Sequence, residues 1–483
     1  MQNNKGLTRR GALKTTGAVV AAAALPLRTA RGADAADSLM ATLAAYMSEA
    51  HKRALPDKVM QEAKHHILDT VAAMVSGSEL PPGRGAIRFA RAVGGQKIAT
   101  VVASQVLCGP IDAAFANGEL AHSDESDDDY TAGGAHPGCA IVPATLALGE
   151  QFGISGMHFV RAVTLGYDVG MRAYKTLDRG LLKETHNLVG TMGASAASGC
   201  VARLNVQQMR WLLDYAAQQA GSGIGTWRDD IDHIEKGFLF GAMGARNGVT
   251  AALLVQSGWT GVNDIFSGPQ NFVVSYAPKA DPAGLIQQLG ERYEVVLTSI
   301  KGWTAGGPVQ TPLDAIVNLR KRRPFEANEV RQVVVRSATS QAERVDNREM
   351  PDINLQYLLA VMLLDKTVSF HAAHDKPRMQ DPAILRERAK IQLIPDAELE
   401  RQLPTRVGIV DITLNDGTHL SERVDNARGT PENPMTREEV VAKARELMTP
   451  ILGAEKCSKV IARLLDLENV KNVRELRPLL QTG

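Results

Sequence analysis

Two histidines and five carboxylates crowd one short passage of this chain, His122-Ser-Asp-Glu-Ser-Asp-Asp-Asp-Tyr-Thr-Ala-Gly-Gly-Ala-His136. The carboxylates fill five of the six positions from Asp124 to Asp129, and His136-Pro-Gly follows a glycine pair. Three kinds of chemistry fit. An acidic run of this density is ordinarily a solvated surface loop. Clustered carboxylates beside histidine also suit Mg²⁺, Mn²⁺ or Ca²⁺. The third reading is an acid/base loop, in which His136 exchanges protons near neutral pH while a carboxylate fixes its tautomer. The residue types alone do not rank the three.

Four more polar residues stand in apolar or glycine-rich settings. They are His186 in Thr-His-Asn-Leu-Val-Gly, Lys236 in Asp-His-Ile-Glu-Lys-Gly-Phe, Lys301 in Ser-Ile-Lys-Gly-Trp and Tyr357 in Asn-Leu-Gln-Tyr-Leu-Leu. Singly, each reads as a satisfied core or rim residue. As a set, two ammonium groups could bind substrate carboxylates, and a phenol and imidazoles could relay protons.

The elements that must position these groups change character along the chain. From Asp37 to about Tyr276 apolar residues recur at three-and-four spacing, as in Lys58 to Val75, which predicts a large helical domain. The same pattern recurs over 111–119, 141–152, 158–176, 189–201, 206–220 and 247–257, with Ala and Gly frequent enough for close helix packing. After Arg292, Val309 to Arg320 still reads as a helix, but Val330 to Ser337 and Val407 to Leu414 alternate like strands. Asn415-Asp416-Gly417 is a turn signal before a return strand at His419. Helical spacing resumes over 438–448 and 457–467. The expected fold is mainly α with an α+β second domain. Its parts are a leader over 1–35, a helical domain over 36–292, an α+β lid over 293–435, and helices over 436–483 that return to the first domain.

A net charge of +1 over 483 residues gives no argument for nucleic-acid or general anionic-surface binding and points to a small-molecule partner. Cys108, Cys139, Cys200 and Cys457 are too scattered for a zinc or iron–sulfur site. They leave room for a disulfide or for buried free thiols. At the N-terminus, Thr8-Arg9-Arg10-Gly11-Ala12-Leu13-Lys14 precedes an apolar stretch from Gly17 to Leu25. That order predicts a twin-arginine export signal, cleaved after Ala33-Asp34-Ala35, and a periplasmic protein without a stable membrane anchor.

The ordered set Ala-Asn-Gly-Glu-Leu-Ala-His-Ser, the acidic run, His136-Pro-Gly and Ile-Val-Pro-Ala-Thr-Leu-Ala-Leu-Gly-Glu resembles the MmgE/PrpD superfamily. Thr185-His186-Asn, Glu235-Lys236-Gly-Phe, Ala245-Arg-Asn-Gly, Ile300-Lys301-Gly-Trp and Asn354-Leu-Gln-Tyr357 look like later landmarks of the same family. The resemblance spans roughly Asp37 to Leu467. It implies a lyase or epimerase that uses no metal or cofactor, has a helical domain and a lid, and forms a homodimer. Family members dehydrate 2-methylcitrate, decarboxylate cis-aconitate or epimerise iminodisuccinate, all by moving a proton beside a carboxylate. His136 matches the family's acid/base, with His186 and Tyr357 assisting and Lys236, Lys301 and His122 on the substrate. Glu125 and Asp129 stand where the family has aspartate and threonine and would orient the loop. Thr-Ala-Gly-Gly after Trp303 replaces polar or basic residues found in tricarboxylate-binding relatives, which predicts a pocket with fewer cations. A periplasmic carboxylate-binding protein would instead alternate strands and helices in both lobes.

Overall fold

Helical spacing in the first half becomes a bundle because its apolar stripes have one another to pack against. The computed structural model describes residues 30–482 apart from 131–133, 178–181, 183, 222–223, 230, 277 and 279–280. The twin-arginine motif and its apolar stretch lie outside the described residues. The bundle comprises α1 (Ala30–Glu49), α2 (Asp57–Gly77), α3 (Pro81–Val93), α4 (Pro110–Ala121), α5 (Gly138–Phe152), α6 (Gly156–Thr176), α7 (His186–Val201), α8 (Val206–Gln219) and α9 (Met243–Gln256). Local signals set the boundaries. Proline opens α3 and α4, Ser155 accepts from the His158 N–H at the start of α6, and Asn205 with Gln208 forms a capping box on α8.

Small residues let the inner helices touch through their backbones. A Cβ added to Gly118 of α4 would lie 2.7 Å from the Gly241 carbonyl carbon, and one on Gly244 of α9 would lie 2.9 Å from that of Gly190 in α7. Gly241 belongs to a π-helical turn, Phe238–Ala242, that joins the short helix Ile234–Gly237 to α9. The whole run Ile234–Gln256 is apolar and long enough to cross a membrane, but most of it is buried as the central helix of this bundle.

The second unit begins with α10 (Gly307–Arg322) and carries a four-stranded sheet of β1 (Val330–Ala338), β2 (Ile391–Asp396), β3 (Gly408–Leu414) and β4 (His419–Val424) in the order β2-β1-β3-β4. β1 and β2 are parallel, with Val333 opposite Ile391, whereas β1–β3 and β3–β4 are antiparallel. Val410, Ile412 and Leu414 alternate inward along β3, and Gly417, at φ 89°, turns the hairpin. Between β1 and β2 lie α11 (Thr339–Val345), α12 (Leu355–Asp365) and α13 (Phe370–His374). Residues from Ala305 to Val424 share one apolar core.

The other core takes in the bundle and then α14 (Arg437–Leu452) and α15 (Ala454–Leu465), which close the chain against α2. Tyr293, Val295 and Ile300 pack into the helical core, and Glu294 beside them is fully buried, bonded by Tyr130 and Lys175. All four cysteines are buried free thiols.

Candidate active site

The acidic run is not a solvated loop. Every residue from His122 to Tyr130 is buried, and each of its five carboxylates has a partner. Asp124 accepts from the Ser126 N–H at 2.9 Å and meets the lid residue His374 at 3.1 Å. Asp128 accepts from His66 at 2.7 Å, from the Tyr167 hydroxyl at 2.5 Å and from the Gly138 N–H at 2.9 Å. That last bond explains the glycine of His136-Pro-Gly, because a Cβ there would lie 2.8 Å from the Asp128 carboxylate. Asp129 pairs with Arg406 of the lid. From the C-terminal helices, Lys443 donates to the Ser126 carbonyl at 2.7 Å and pairs with buried Asp69 at 2.6 Å. Burying so many charges is tolerable only with this degree of pairing.

Asp127 stands at the centre. One carboxylate oxygen accepts from His122 Nδ1 at 2.9 Å, and the other lies 3.3 Å from His136 Nδ1 and 3.5 Å from Lys301 Nζ. Burial raises the affinity of Asp127 for a proton, but the fields of His122, His136 and Lys301 outweigh it and hold its carboxyl well below the usual range. Burial dominates at His122, lowering its pKa to about 4, with Asp127 opposing and His136 and Lys236 adding to the fall. A neutral His122 therefore faces an ionised Asp127. With Nδ1 of His136 turned to that carboxylate, Nε2 is left for a substrate proton.

Behind this pair, Glu125 is held by both candidate lysines. Lys236 contacts one carboxylate oxygen, while Lys301 lies 3.2 Å from the other and donates to the Glu125 carbonyl at 2.9 Å. Burial opposes ionisation of Glu125, but Lys236, Lys301, His122 and His136 together lower its pKa well below the usual value. Lys301 is raised in turn, since Glu125, Asp127 and Asp129 overcome the cost of its burial.

A cavity of about 590 Å³ opens between the bundle and the lid, and Glu125, Asp129, His136, His186 and Lys236 all line it. His186 begins α7, with Nδ1 3.1 Å from Glu184 and Nε2 2.9 Å from the Gly134 carbonyl. Its ring stacks on Phe240 at 3.5 Å, and Phe240 also stacks on His122 at 4.6 Å. The π-helical turn thus supplies a buried aromatic post between histidines, a position with no distinguishing mark in the sequence.

Three expected site residues lie elsewhere. Tyr357 sits in the lid core with no exposed surface, its hydroxyl donating to the Ala372 carbonyl at 2.6 Å, because α12 buries the whole Leu355–Leu363 face. His122 is also fully buried and touches Asp127 rather than the cavity. Lys301 lies behind Glu125 and lines a smaller neighbouring cavity of about 270 Å³. Asp129, Gly307 and Arg406 border both cavities, so the Asp129–Arg406 pair stands between them.

Sequence reading also missed Asp127 as the partner of His136, and it missed the cations. Trp303 to Pro308 supplies none, yet Arg228, Arg344, Arg348 and Arg406 line the cavity from other segments. Gly307 makes room for one of them, since a Cβ there would collide with the Arg406 guanidinium. Lining residues far apart in sequence make the cavity cationic.

Among the described residues two groups have the spacing of metal ligands, His122–Glu125–His233 and His122–Asp127–His136, with donor atoms within 4.8 Å of one another. Their carboxylates are already engaged by Lys236 and Lys301, so a divalent cation would enter against two ammonium charges. The donor set suits proton chemistry better than a resident metal.

Comparison with known proteins agrees with this architecture. Residues 41–284 match the MmgE/PrpD N-terminal domain and residues 303–467 the MmgE/PrpD C-terminal domain. The cis-aconitate decarboxylase of Aspergillus terreus is 24% identical over 88% of this chain and 92% of its own. The human cis-aconitate decarboxylase is 25% identical over 88% and 91%. A cis-aconitate decarboxylase-like protein, oryM, of Aspergillus oryzae is 22% identical over 92% and 97%. With both domain matches covering most of its length, and with the paired-domain fold they imply, this chain belongs to the MmgE/PrpD family.

Proposed function

We propose that this protein is a cofactor-independent lyase that acts on a small di- or tricarboxylate, with His136 moving a proton at the carbon beside a carboxylate. The observation that carries the reading is His136 at the cavity wall with Asp127 at its Nδ1. Glu125 and Lys236 form the charged floor beside it, with Lys301 behind Glu125. The curated relatives named cis-aconitate decarboxylases support the reaction class.

In decarboxylation, the carbon–carbon bond to carbon dioxide breaks and its electron pair spreads onto a neighbouring carboxylate as an enolate-like anion. His136 then delivers its proton to carbon. In dehydration of a 2-methylcitrate-like substrate, His136 takes the carbon-bound proton, the electron pair forms the double bond, and hydroxide leaves with a proton from His186 or water. Either anion would develop beside the Lys236 ammonium, whose charge Glu125 already partly offsets. Epimerisation would need the same proton removal and its return to the opposite face.

Proton NMR in heavy water with cis-aconitate, 2-methylcitrate and smaller dicarboxylates tests this. Solvent deuterium at a carbon beside a carboxylate, abolished in His136→Gln, supports the reading, and the product separates the three outcomes. Unchanged turnover in His136→Gln would remove it. Activity that disappears on exhaustive chelation and returns with a divalent metal would also do so.

The same proposal includes export and pairing. Arg9-Arg10 and the apolar stretch after them support the twin-arginine route. Partly exposed Phe89, Ile234 and Phe238, with Phe115 in ring contact between the two phenylalanines, support a homodimer. N-terminal sequencing of a periplasmic fraction should begin near Ala36, Arg9→Lys with Arg10→Lys should block export, and light scattering should report two copies.

A further inference from the structure

The lysines that a reader would assign to anion binding are already committed. Lys236 shares Glu125 with Lys301, and Lys301 also faces Asp127, so that corner has little net charge to offer an incoming anion. The opposite wall differs. Arg228 lies on the helical-domain turn Thr226–Asp229, Arg344 on α11, and Arg348 just beyond it. Among the described residues no carboxylate pairs with any of the three, and the one hydrogen bond between them runs from Arg348 to the Arg228 carbonyl at 2.6 Å.

Across the whole lining, five Lys and Arg side chains face three carboxylates, Glu125, Asp129 and Glu343. The first two are paired with Lys236 and Arg406, which leaves three guanidiniums against Glu343. Desolvation and the fields of Arg228 and Arg406 lower the Arg344 guanidinium from its usual range, against the opposing fields of Tyr174 and Glu400. Like charges brought to one wall repel unless an anion joins them, and arginine presents a planar fork that takes carboxylate in bidentate geometry.

We infer that Arg344 and Arg348, with Arg228, form a receptor for a carboxylate of the ligand remote from the reacting carbon at His136. The inference rests on the proposed function for what happens at His136, but the receptor itself is defined by charge and position. Because Arg344 and Arg348 belong to the lid and Arg228 to the bundle, the remote carboxylate would also bridge the two units.

The test is calorimetric binding of tricarballylate, a saturated tricarboxylate with no bond for a lyase to break, to the full mature protein at low ionic strength. Butyrate is the monocarboxylate control. The wild type should bind tricarballylate far more tightly than butyrate, and Arg344→Gln with Arg348→Gln should weaken tricarballylate at least tenfold. Arg344→Lys with Arg348→Lys, checked alongside for an unaltered melting curve, should recover part of the loss. Equal affinity for tricarballylate in wild type and the Gln variant, or no tricarballylate binding to wild type, would each overturn the receptor. Deuterium exchange in the same preparations keeps the two ideas apart. Tricarballylate binding that depends on the arginines without exchange on any substrate leaves the receptor standing and removes the lyase. Exchange with arginine-independent binding does the reverse.

Discussion

His136 Nδ1 lies 3.3 Å from Asp127 Oδ1, while the other oxygen of the same carboxylate accepts from His122 Nδ1 at 2.9 Å. One buried anion thus orients two imidazoles, one facing the cavity and one sealed behind it. The arrangement assigns different work to residues that look alike in sequence.

Removing the proton carrier should cost more than removing its orienting partner. His136→Gln should lower kcat by roughly 10²–10⁴-fold with little change in KM. Asp127→Asn should lower kcat by less and should also lower the melting temperature, because His122 and Lys301 lose the same partner. Steady-state kinetics beside thermal melts read both effects, and an Asp127→Asn enzyme with full turnover would contradict the orienting role.

Glu125 is shared by two buried ammonium groups, so its loss strands both. Glu125→Gln should destabilise the fold by about 3–5 kcal/mol. Adding Lys236→Met to that variant should restore part of the loss, since one stranded charge is removed. Denaturant titration of the wild type, Glu125→Gln, Lys236→Met and the double variant gives the coupling directly.

The pH dependence of stability has a definite sign. His122 titrates near pH 6.5 in an unfolded chain and at about 4 in the folded one. The unfolded state therefore binds a proton first, and stability is lost as pH falls from 6.5 to about 4, by on the order of 3 kcal/mol. Asp127 and Glu125, with depressed values, hold their contributions above the unfolded carboxylate range and lose them only at lower pH. His122→Asn, whose amide can still donate to Asp127, should flatten the upper part of the curve. Urea denaturation between pH 7 and pH 4 measures the slope, and identical slopes in both proteins would rule out His122 as the source.

Gly307→Ala should displace the Arg406 guanidinium from Asp129, because the new methyl occupies its place. The expected destabilisation is about 1–3 kcal/mol. Combining it with Arg406→Ala should cost less than the two single changes added together. An additive result would show that the glycine is there for another reason.

All four thiols should be silent toward Ellman's reagent in the folded protein, since each is buried, and burial pushes Cys108 and Cys200 up to about 12. All four should react once the chain is unfolded.

The bundle and the sheet could be read along the chain because their signals are local. Helical spacing marked α2, α6 and α14, and alternation marked β1 and β3, since those periodicities follow from backbone geometry wherever one face is buried. His136, His186, Lys236 and Glu125 could be singled out because polar groups in apolar or crowded acidic settings stand out in any sequence, and those four do meet at the cavity. Long-range packing settled the rest. Whether the acidic run faced water or the interior depended on partners as distant as His66, Lys301, His374 and Arg406, and no local rule pairs residues so far apart. Tyr357 looked like its neighbours in the motif set until α12 turned it into the lid core. The arginines of the cavity wall have no motif at all, because their common role comes from three separate loops and a helix arriving at one surface, and charge adds up in space rather than along the chain.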